Sequence, residues 1–452
     1  MIDDLPRSWL KLKLGDVVDY GRTEKVEPSE ISGDPWILEL EDIEKGTSKV
    51  LQRLTLSKRK SKSTKNKFAK GDLLYGKLRP YLNKVLIATE DGYCSTEIVP
   101  IRAPQSVDSR YLFYWLKHPA FLHYVDGVSH GINMPRLGTD AGKNAPFILA
   151  PWNEQKRIAD KLDILLSRVD ACRERLERVP QILKRFRQSV LSAAVNGKLT
   201  AEWREEHLLS DVQWRQCKLA DILTDIRYGT AQKCTYDNRG KPVLRIPNIG
   251  DGCIDLTDLK YAEFSNEDAK RYALRDGDLL VIRSNGSVDL VGKAALVKKE
   301  AVDFLFAGYL IRLRLHLEVA DPKYILAVLN SPQCRALIEL TSRSTSGVNN
   351  INSDELKSIA VSLPCLEEQK EIVRRLDAIN SRYNEIESHF QAAFLTQERL
   401  TSSLLAKAFR GELLAQDSSD EAASDLLSRL QIPENGGTGV LRGSQSLKAV
   451  RV

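Results

Sequence analysis

The chain has 452 residues, of which 42% are hydrophobic and 28% are charged, so we expect roughly two to four domains with ordinary buried cores. A net charge of +6 permits a nucleic-acid partner, but the chain is far less basic than a histone-like tail. The seven cysteines are scattered without CxxC spacing, and no apolar run is long enough to cross a membrane. This pattern argues against zinc ribbons and membrane spans, and it favours a cytoplasmic protein with reduced thiols.

The sequence contains an internal duplication with a period of about 206 to 214 residues. Trp9 opens the first copy and Trp214 opens the second, and short similar segments then recur in the same order. The matching segments are 70–74 with 276–280, 111–119 with 324–332, 131–133 with 347–349, and 151–156 with 364–370. Because their order is unbroken, we interpret the chain as one structural unit present twice.

Each copy begins with a globular region, at residues 1–152 and 214–365. Short apolar runs at 36–38, 85–88 and 279–282 are typical of strands, and residues 111–122 have helical periodicity. These patterns predict an α+β fold in which each region is a mixed α/β domain with a mostly antiparallel sheet.

Each domain is followed by a long heptad pattern, at residues 153–197 and 366–413. Apolar residues three and four positions apart over more than four heptads are typical of a coiled-coil seam. The first seam contains Ile158, Leu162, Leu165, Val169, Leu176, Leu183, Phe186 and Val190, and the second contains Ile372, Leu376, Ile379, Tyr383, Ile386, Phe390, Leu400 and Leu404. Glycines at 197 and 411 are suited to end the helices, whereas Pro180 should kink or locally break the first.

The connection between the copies constrains how the two helices could pair. A helix of this length spans about 65 Å, and only the linker 198–213 separates it from the second domain. The second helix must therefore run back to meet the first, which predicts an antiparallel coiled coil with a pseudo-twofold axis. The alternative is that both are ordinary amphipathic helices of the domain cores. The tail 414–452 is rich in Ser, Asp and Gly, and we expect it to be mobile.

Three groups of residues in the two domains are suited to contact DNA. Lysine and arginine can neutralise phosphates, arginine can bridge two guanine acceptors, and asparagine can do the same for adenine. The candidates are Lys58, Arg59, Lys60, Lys77, Arg79, Tyr81, Asn133 and Arg136 in the first domain, and Arg283, Asn285, Ser287, Ser346, Asn349 and Asn350 in the second. The alternative for the basic run 57–70 is a solvated loop, and for the amide-rich segments it is an ordinary surface turn.

Motifs for catalysis are absent from the sequence. The six histidines have no metal-binding spacing, and there is neither a phosphate-binding loop nor an NPPY-type amino-methyltransferase motif. We therefore predict binding and assembly, with no catalytic residue, metal ligand or cofactor site in this chain.

The chain has a domain, a segment of the form Pro-x-x-Glu-Gln-Lys-x-Ile and a long helix, and this series then occurs a second time. The layout resembles that of the specificity subunits of type I restriction–modification enzymes. The likeness is most specific in segments 178–204 (RVPQILKRFRQSVLSAAVNGKLTAEWR) and 404–413 (LLAKAFRGEL), which are similar to the conserved regions of the enterobacterial K-type group.

That resemblance implies two target-recognition domains, each reading one half of an asymmetric, split DNA site. It also implies two modification subunits, forming an adenine-N6 methyltransferase, and two ATP-driven restriction subunits. S-adenosylmethionine, ATP and magnesium would be bound by those partners. The alternatives are a stand-alone bipartite DNA-binding regulator and, less simply, a chain that modifies or cuts DNA by itself.

Overall fold

A computed structural model describes residues 5–131, 133–209, 213–342 and 349–430. The chain divides into two units, one made of Met1–Arg175 with Ala393–Val452 and the other of Leu176–Ala392. Both boundaries between the units fall inside long helices. Within the described residues, no helix is both long and apolar enough to cross a membrane.

The first domain is built from short strands that form three sheets and carry many of its buried apolar residues. Its strands are β1 (Leu10–Lys13), β2 (Lys25–Val26), β3 (Trp36–Leu38), β4 (Leu54–Thr55), β5 (Lys65–Phe68), β6 (Leu73–Gly76), β7 (Val85–Ile87), β8 (Gly92–Ser95), β9 (Ile98–Ile101) and β10 (Pro146–Leu149). They form the sheets β2-β5-β8-β3-β4, β7-β6-β9 and β1-β10. Every pairing is antiparallel except that of β3 with β8.

Helices pack against these sheets, and side-chain caps mark where two of the helices begin. They are α1 (Leu56–Arg59), α2 (Ser109–Leu116), α3 (Pro119–Val128) and α4 (Thr139–Lys143). The Asp108 carboxylate accepts hydrogen bonds from the first turn of α2, and His118 does so for α3. The helical pattern predicted over 111–122 is thus divided between two helices, because Pro119 is suited to the first turn of a helix but not to its interior.

The second domain is also built from short strands and short helices. Its strands are β11 (Arg215–Lys218), β12 (Leu223–Tyr228), β13 (Lys241–Leu244), β14 (Gly252–Cys253), β15 (Lys260–Ala262), β16 (Leu279–Ile282), β17 (Ser284–Asn285), β18 (Ala294–Leu296), β19 (Leu305–Phe306), β20 (Leu310–Leu315), β21 (Asn349–Asn350) and β22 (Ala360–Leu363). These strands form four sheets, with the strand orders β12-β20-β16-β18-β14, β15-β13-β19, β17-β21 and β11-β22. Its helices are α7 (Asn266–Tyr272), α8 (Pro322–Leu329), α9 (Pro332–Thr341) and α10 (Ser353–Lys357).

In both domains, the first strand pairs antiparallel with the last, β1 with β10 and β11 with β22. In both, an aspartate caps a helix whose first turn contains a buried tyrosine, Tyr111 in α2 and Tyr324 in α8. The prediction of two mixed α/β domains with mostly antiparallel sheets is confirmed.

Two long helices extend from the domains, α5 (Trp152–Val195) and α11 (Leu366–Ala408), and the short α6 (Ala201–Glu206) lies in the linker. Gly197 and Gly411 follow them in the left-handed conformation, with φ of 79° and 75°, as expected for glycine caps. However, α5 continues through Pro180, so the predicted local break is wrong, while a kink at this position stays a prediction. Proline removes one N–H donor from a helix, and the remaining hydrogen bonds of α5 maintain it across that position.

The predicted seam residues differ widely in burial. Ile158 and Leu162 lie in the core of the first domain, and Ile372 and Leu376 lie in that of the second. Val169 and Leu183 are also buried, and the partly buried ones are Leu165, Leu176, Val190, Ile379, Tyr383, Phe390 and Leu404. Phe186, Ile386 and Leu400 are 48%, 50% and 42% exposed. The first heptads of each helix thus pack on that helix's own domain, while their pairing with each other stays a prediction.

The segment after α11 is folded, contrary to the expectation of a mobile tail from residue 414. It contains α12 (Ala423–Leu430), and Ala423 and Leu426 are buried in the core of the first domain. Asp420 accepts from Arg157 at 2.5 Å, and the Ala423 N–H donates to the Ser8 carbonyl at 2.9 Å. The expectation is therefore wrong for 414–430, because the polar composition of this segment concealed two apolar residues on one helix face. Residues 431–452 lie outside the described part of the chain.

Candidate nucleic-acid interface

In the second unit, two segments that the sequence singled out separately are brought together. Strand β16 leads into Arg283 and β17, and β17 pairs antiparallel with β21, so that Ser284 faces Asn350 and Asn285 faces Asn349. The Asn349 amide also donates to the Gly286 carbonyl at 3.1 Å. Asn285 accepts from the Ser287 N–H at 2.8 Å, which makes a tight turn beside the strand pair. Ser346 lies outside the described residues.

Arg283 lies at the centre of this loop pair and is held on several sides. Its Nε donates to Asn350 Oδ1 at 3.2 Å, and its guanidinium carbon lies 4.6 Å from the centre of the Tyr228 ring. Its backbone N–H donates to the Tyr309 carbonyl at 2.8 Å. Arg283 is half-buried and Asn350 is exposed, so this cluster combines a fixed arginine with accessible amide groups.

The first unit brings together the corresponding candidates. The Leu137 N–H donates to the Lys77 carbonyl at 3.0 Å, and the Arg79 N–H donates to the Pro135 carbonyl at 2.7 Å. Arg79 has a left-handed backbone with φ of 49°, and its side chain is exposed. It lies 3.5 Å from the Asn133 carbonyl. Lys77, Arg79, Asn133 and Arg136 therefore occupy one loop pair, with the 55% exposed Tyr81 next to it in sequence.

Two of the candidate arginines of the first domain are paired with acids. Arg136 contacts Glu97 at 3.1 Å and remains about half exposed, so it retains access to solvent. The side chain of Arg59 is only 8% exposed and is paired with Asp42 and Glu41. The assignment of Arg59 to DNA contact is corrected, because a buried guanidinium matched by two carboxylates has no free charge to offer a phosphate.

The basic run 57–70 is divided by the fold rather than exposed as a whole. Lys65 is fully buried, 3.2 Å from Glu39. Lys58 and Lys60 are exposed at the end of α1, where Lys60 has a left-handed backbone with φ of 52°. In this run, Lys58 and Lys60 are therefore accessible to solvent, whereas Lys65 is buried inside the domain.

Two exposed tyrosines next to Arg283 were not among the candidates. Tyr228 ends β12, and Tyr309 precedes β20 and is 62% exposed. Tyr228 is an aromatic residue directly before Gly229, and a search for aromatic residues at turns could have identified it. No local signal could have placed Tyr309 beside Arg283, since the two are joined only through sheet pairing.

The Glu-Gln pair of the repeated motif joins each domain to its long helix. Gln155 accepts from the Asp108 N–H at 3.0 Å and donates to the Ala150 carbonyl at 2.8 Å. In the second unit, Gln369 accepts from the Asp321 N–H at 2.7 Å and donates to the Pro364 carbonyl at 2.9 Å. Both amides are buried, so the motif fixes the start of each long helix to its own domain.

The glutamates of the motif differ between the two units. Glu368 accepts from Trp214 at 3.0 Å and from Thr200 at 2.7 Å, and it pairs with Arg204 at 2.5 Å. Glu154 accepts from Trp9 at 2.7 Å and from Gln416. Burial raises the pKa of Glu154 above its ordinary value, although these hydrogen bonds and Arg157 act in the opposite direction. Each carboxylate joins the start of one long helix to the segment that follows the other, and that position favours a structural role.

Within the described residues, no group of three or more His, Cys, Asp and Glu side chains could hold a metal ion. Two related mixed domains carry arginine- and asparagine-containing loop pairs, and each is fixed to a long helix. This combination defines a class of two-domain proteins in which each mixed domain is joined to a long helix.

Comparison with known proteins places the chain within this class. The family described as Type I restriction modification DNA specificity domain matches residues 6–181 and 211–393. The chain is 38% identical over 317 residues to the type I restriction enzyme EcoKI specificity subunit of Escherichia coli K12, covering 70% of this chain and 68% of that protein. It is 33% identical over 316 residues to the StySPI specificity subunit of Salmonella potsdam, covering 70% and 68%.

The chain belongs to the family of type I restriction–modification specificity subunits, and its likeness to the EcoKI subunit supports the K-type group. Within such enzymes it is a specificity subunit, which is a non-catalytic component.

Two solved structures have a similar fold. One comes from work on complex assembly and conformational transition of the type I R-M system, and it has a TM-score of 0.73 at 22% identity, covering 90% of this chain and 99% of its own. The other is the HsdS subunit from Thermoanaerobacter tengcongensis, with a TM-score of 0.60 at 21% identity, covering 90% and 98%.

Proposed function

We propose that this chain reads an asymmetric, split site on double-stranded DNA, with residues 1–152 and 214–365 as its two target-recognition domains. One observation carries this proposal. In each unit, two segments that lie far apart in sequence and contain base-reading residue types form one loop pair. The residues differ between the loop pairs, with Lys77 and Arg79 in the first and Arg283 and Asn350 in the second. Different side chains in equivalent places favour different half-sites.

We further propose that helices 153–197 and 366–413 pair as an antiparallel coiled coil with a pseudo-twofold axis. The proposal is supported by a constant offset of 214 residues between the two seams. It is also supported by the similar junctions that Gln155 and Gln369 make with the domains. Such a pair would hold the two domains at a fixed separation and leave an unread spacer between the half-sites.

The remaining activities are proposed to lie in partner subunits. The similar proteins are named specificity subunits of type I restriction enzymes, which supports a complex with two modification and two restriction subunits in the cytoplasm. In that complex, S-adenosylmethionine, ATP and magnesium would be bound by the partners and none by this chain. The modification reaction would be adenine-N6 methylation.

Methylation mapping tests the proposal directly. The chain is co-expressed with the modification subunit of its own system in a host that lacks other adenine methyltransferases, and N6-methyladenine is mapped across the genome. We expect one motif made of two different half-sites separated by a spacer of fixed length. Absence of methylation above a host without this chain, or a palindromic motif, would contradict the proposal.

The same reagents distinguish the alternatives that the sequence leaves open. A stand-alone regulator would bind the mapped site tightly as an isolated chain, whereas a specificity subunit should require its modification subunits for tight, specific binding. Incubating the purified chain with DNA, S-adenosylmethionine and magnesium tests for an enzyme acting alone. Methylation or cleavage without partners would overturn the assignment of a non-catalytic subunit.

A further inference from the structure

The Arg283 cluster of the second domain is an ordered array of hydrogen-bond donors. Arginine can only donate, so the oxygen of the Asn350 amide must face Arg283 Nε, to which it lies 3.2 Å away. That contact leaves the Asn350 Nδ2 group and the two terminal nitrogens of Arg283. Within the described part of the chain, those terminal nitrogens donate to no acceptor. The cluster therefore offers neighbouring donors in place of a mixed donor–acceptor pattern.

From this arrangement we infer that Tyr228, Arg283 and Asn350 form the binding site for a guanine in the second half-site, with Tyr228 as its positioning residue. The inference rests on the proposed function and deepens it. In the major groove, guanine presents two acceptors, O6 and N7, and the fork of an arginine matches them. Adenine and cytosine present an amine there, which would meet another donor, so both are disfavoured.

Tyr228 fixes the arginine through two separate contacts. Its ring lies under the guanidinium, with 4.6 Å between the ring centre and the guanidinium carbon, which is within cation–π range. Its hydroxyl accepts a hydrogen bond from the Ser353 N–H at 2.9 Å, so it also anchors the chain that follows Asn350. A long side chain that is already held in its binding conformation loses less conformational entropy when it binds. Tyr228 reduces this entropy loss for Arg283.

The first domain lacks this arrangement. Among the described residues, no aromatic ring lies under Arg79 within cation–π distance, and its side chain makes only the 3.5 Å contact with Asn133. The fixed arginine is therefore a property of the second domain. Its loss should change the reading of the second half-site and leave the first unaffected.

The test measures base preference at each position of both half-sites, using the complete methyltransferase with modification subunits and a DNA library. For Arg283→Lys, we expect the preference for guanine at one position of the second half-site to fall roughly fivefold to a hundredfold. For Tyr228→Leu, the same preference should fall roughly twofold to thirtyfold. Tyr228→Phe keeps the ring and should restore most of that preference.

Tyr236→Leu is the matched control, because Tyr236 is an exposed tyrosine of the same domain that lies under Lys260, 4.6 Å from its ring centre. It should leave the guanine preference unchanged. The preference at the first half-site reports that each complex is folded and active.

If Arg283→Lys and Tyr228→Leu both keep the wild-type preference at every position, the inference is wrong while the proposed function stands. Equal losses at both half-sites would also overturn it, since they would mark a general effect on folding. If the wild-type complex methylates no defined site, the proposed function itself fails.

Discussion

His118 couples the core of the first domain to pH. Its side chain is 3% exposed and stacks on Trp115 with 4.9 Å between ring centres, while its Nδ1 accepts from the Ala120 N–H at 3.0 Å. Burial, aided by the charge of Arg410, lowers the pKa of His118 to about 4. The neutral ring is therefore the form that the fold stabilises.

This shift predicts a loss of stability in mild acid. The pKa of His118 is lower in the folded than in the unfolded state, so its contribution is complete above pH ~6.5 and is lost as the pH falls towards 4. The full effect is about 3 kcal/mol in the free energy of unfolding. His118→Asn keeps a capping acceptor but does not titrate. Urea unfolding followed by tryptophan fluorescence at pH 7 and pH 5 should show a larger decrease for the wild type, and equal decreases would refute the prediction.

At the scale of elements, Pro180 is a local defect in a helix that forms nonetheless. The residue is exposed within α5, which is continuous from Trp152 to Val195, and the equivalent position of α11 is Phe394. Pro180→Ala supplies an N–H for the Leu176 carbonyl and should raise the free energy of unfolding by about 1–3 kcal/mol. Thermal unfolding followed by circular dichroism measures the gain, with the exposed Ser189→Ala as a control for helix propensity. A gain no larger than that of the control would show that Pro180 costs the helix nothing.

Helix α12 should act as part of the first domain rather than as an appendage. Deleting residues 415–452 removes the buried Ala423 and Leu426 together with the Asp420 partner of Arg157. Loss of Leu426 burial alone costs about 1.5–3 kcal/mol. We expect faster proteolysis within residues 5–131 and a lower melting temperature. Deleting only 432–452 is the control and should change neither, whereas equal behaviour of the two truncations would contradict a structural role for α12.

At the scale of the whole molecule, the two domains have similar junctions with the long helices and differ in the loop pairs that we propose to contact DNA. Gln155 and Gln369 make equivalent contacts, whereas Arg79 and Arg283 are held in different ways. This contrast is what we expect if the helices share one task and the domains carry separate specificities.

The proposed pairing of the long helices makes the distance between half-sites adjustable. Inserting four residues into both helices in matching register adds about 6 Å, which corresponds to roughly two base pairs. Methylation mapping should then return the same half-sites with a longer spacer. An insertion in one helix alone is the control, because it breaks the register and should abolish activity. Altered half-sites with an unchanged spacer would disprove the pairing.

Much of this architecture could be predicted from the sequence, because it depends on local periodicity. The helices predicted at 153–197 and 366–413 are observed at Trp152–Val195 and Leu366–Ala408, and the strands at 36–38 and 279–282 lie where alternating or apolar runs placed them. The candidate residues of the loop pairs could also be selected from the sequence, because arginine and asparagine have known complementarity to bases.

Only the tertiary structure decided which of those candidates meet and which are unavailable. The Arg59 side chain is buried because Asp42 approaches it from a 3-10 helix. Tyr228 lies under Arg283 because β12 pairs with β20, which in turn pairs with β16. The tail folds because Leu426 finds a surface on the first domain. Each of these outcomes depends on contacts between residues distant in sequence, and a periodic pattern records which face of an element is apolar but not what that face will meet.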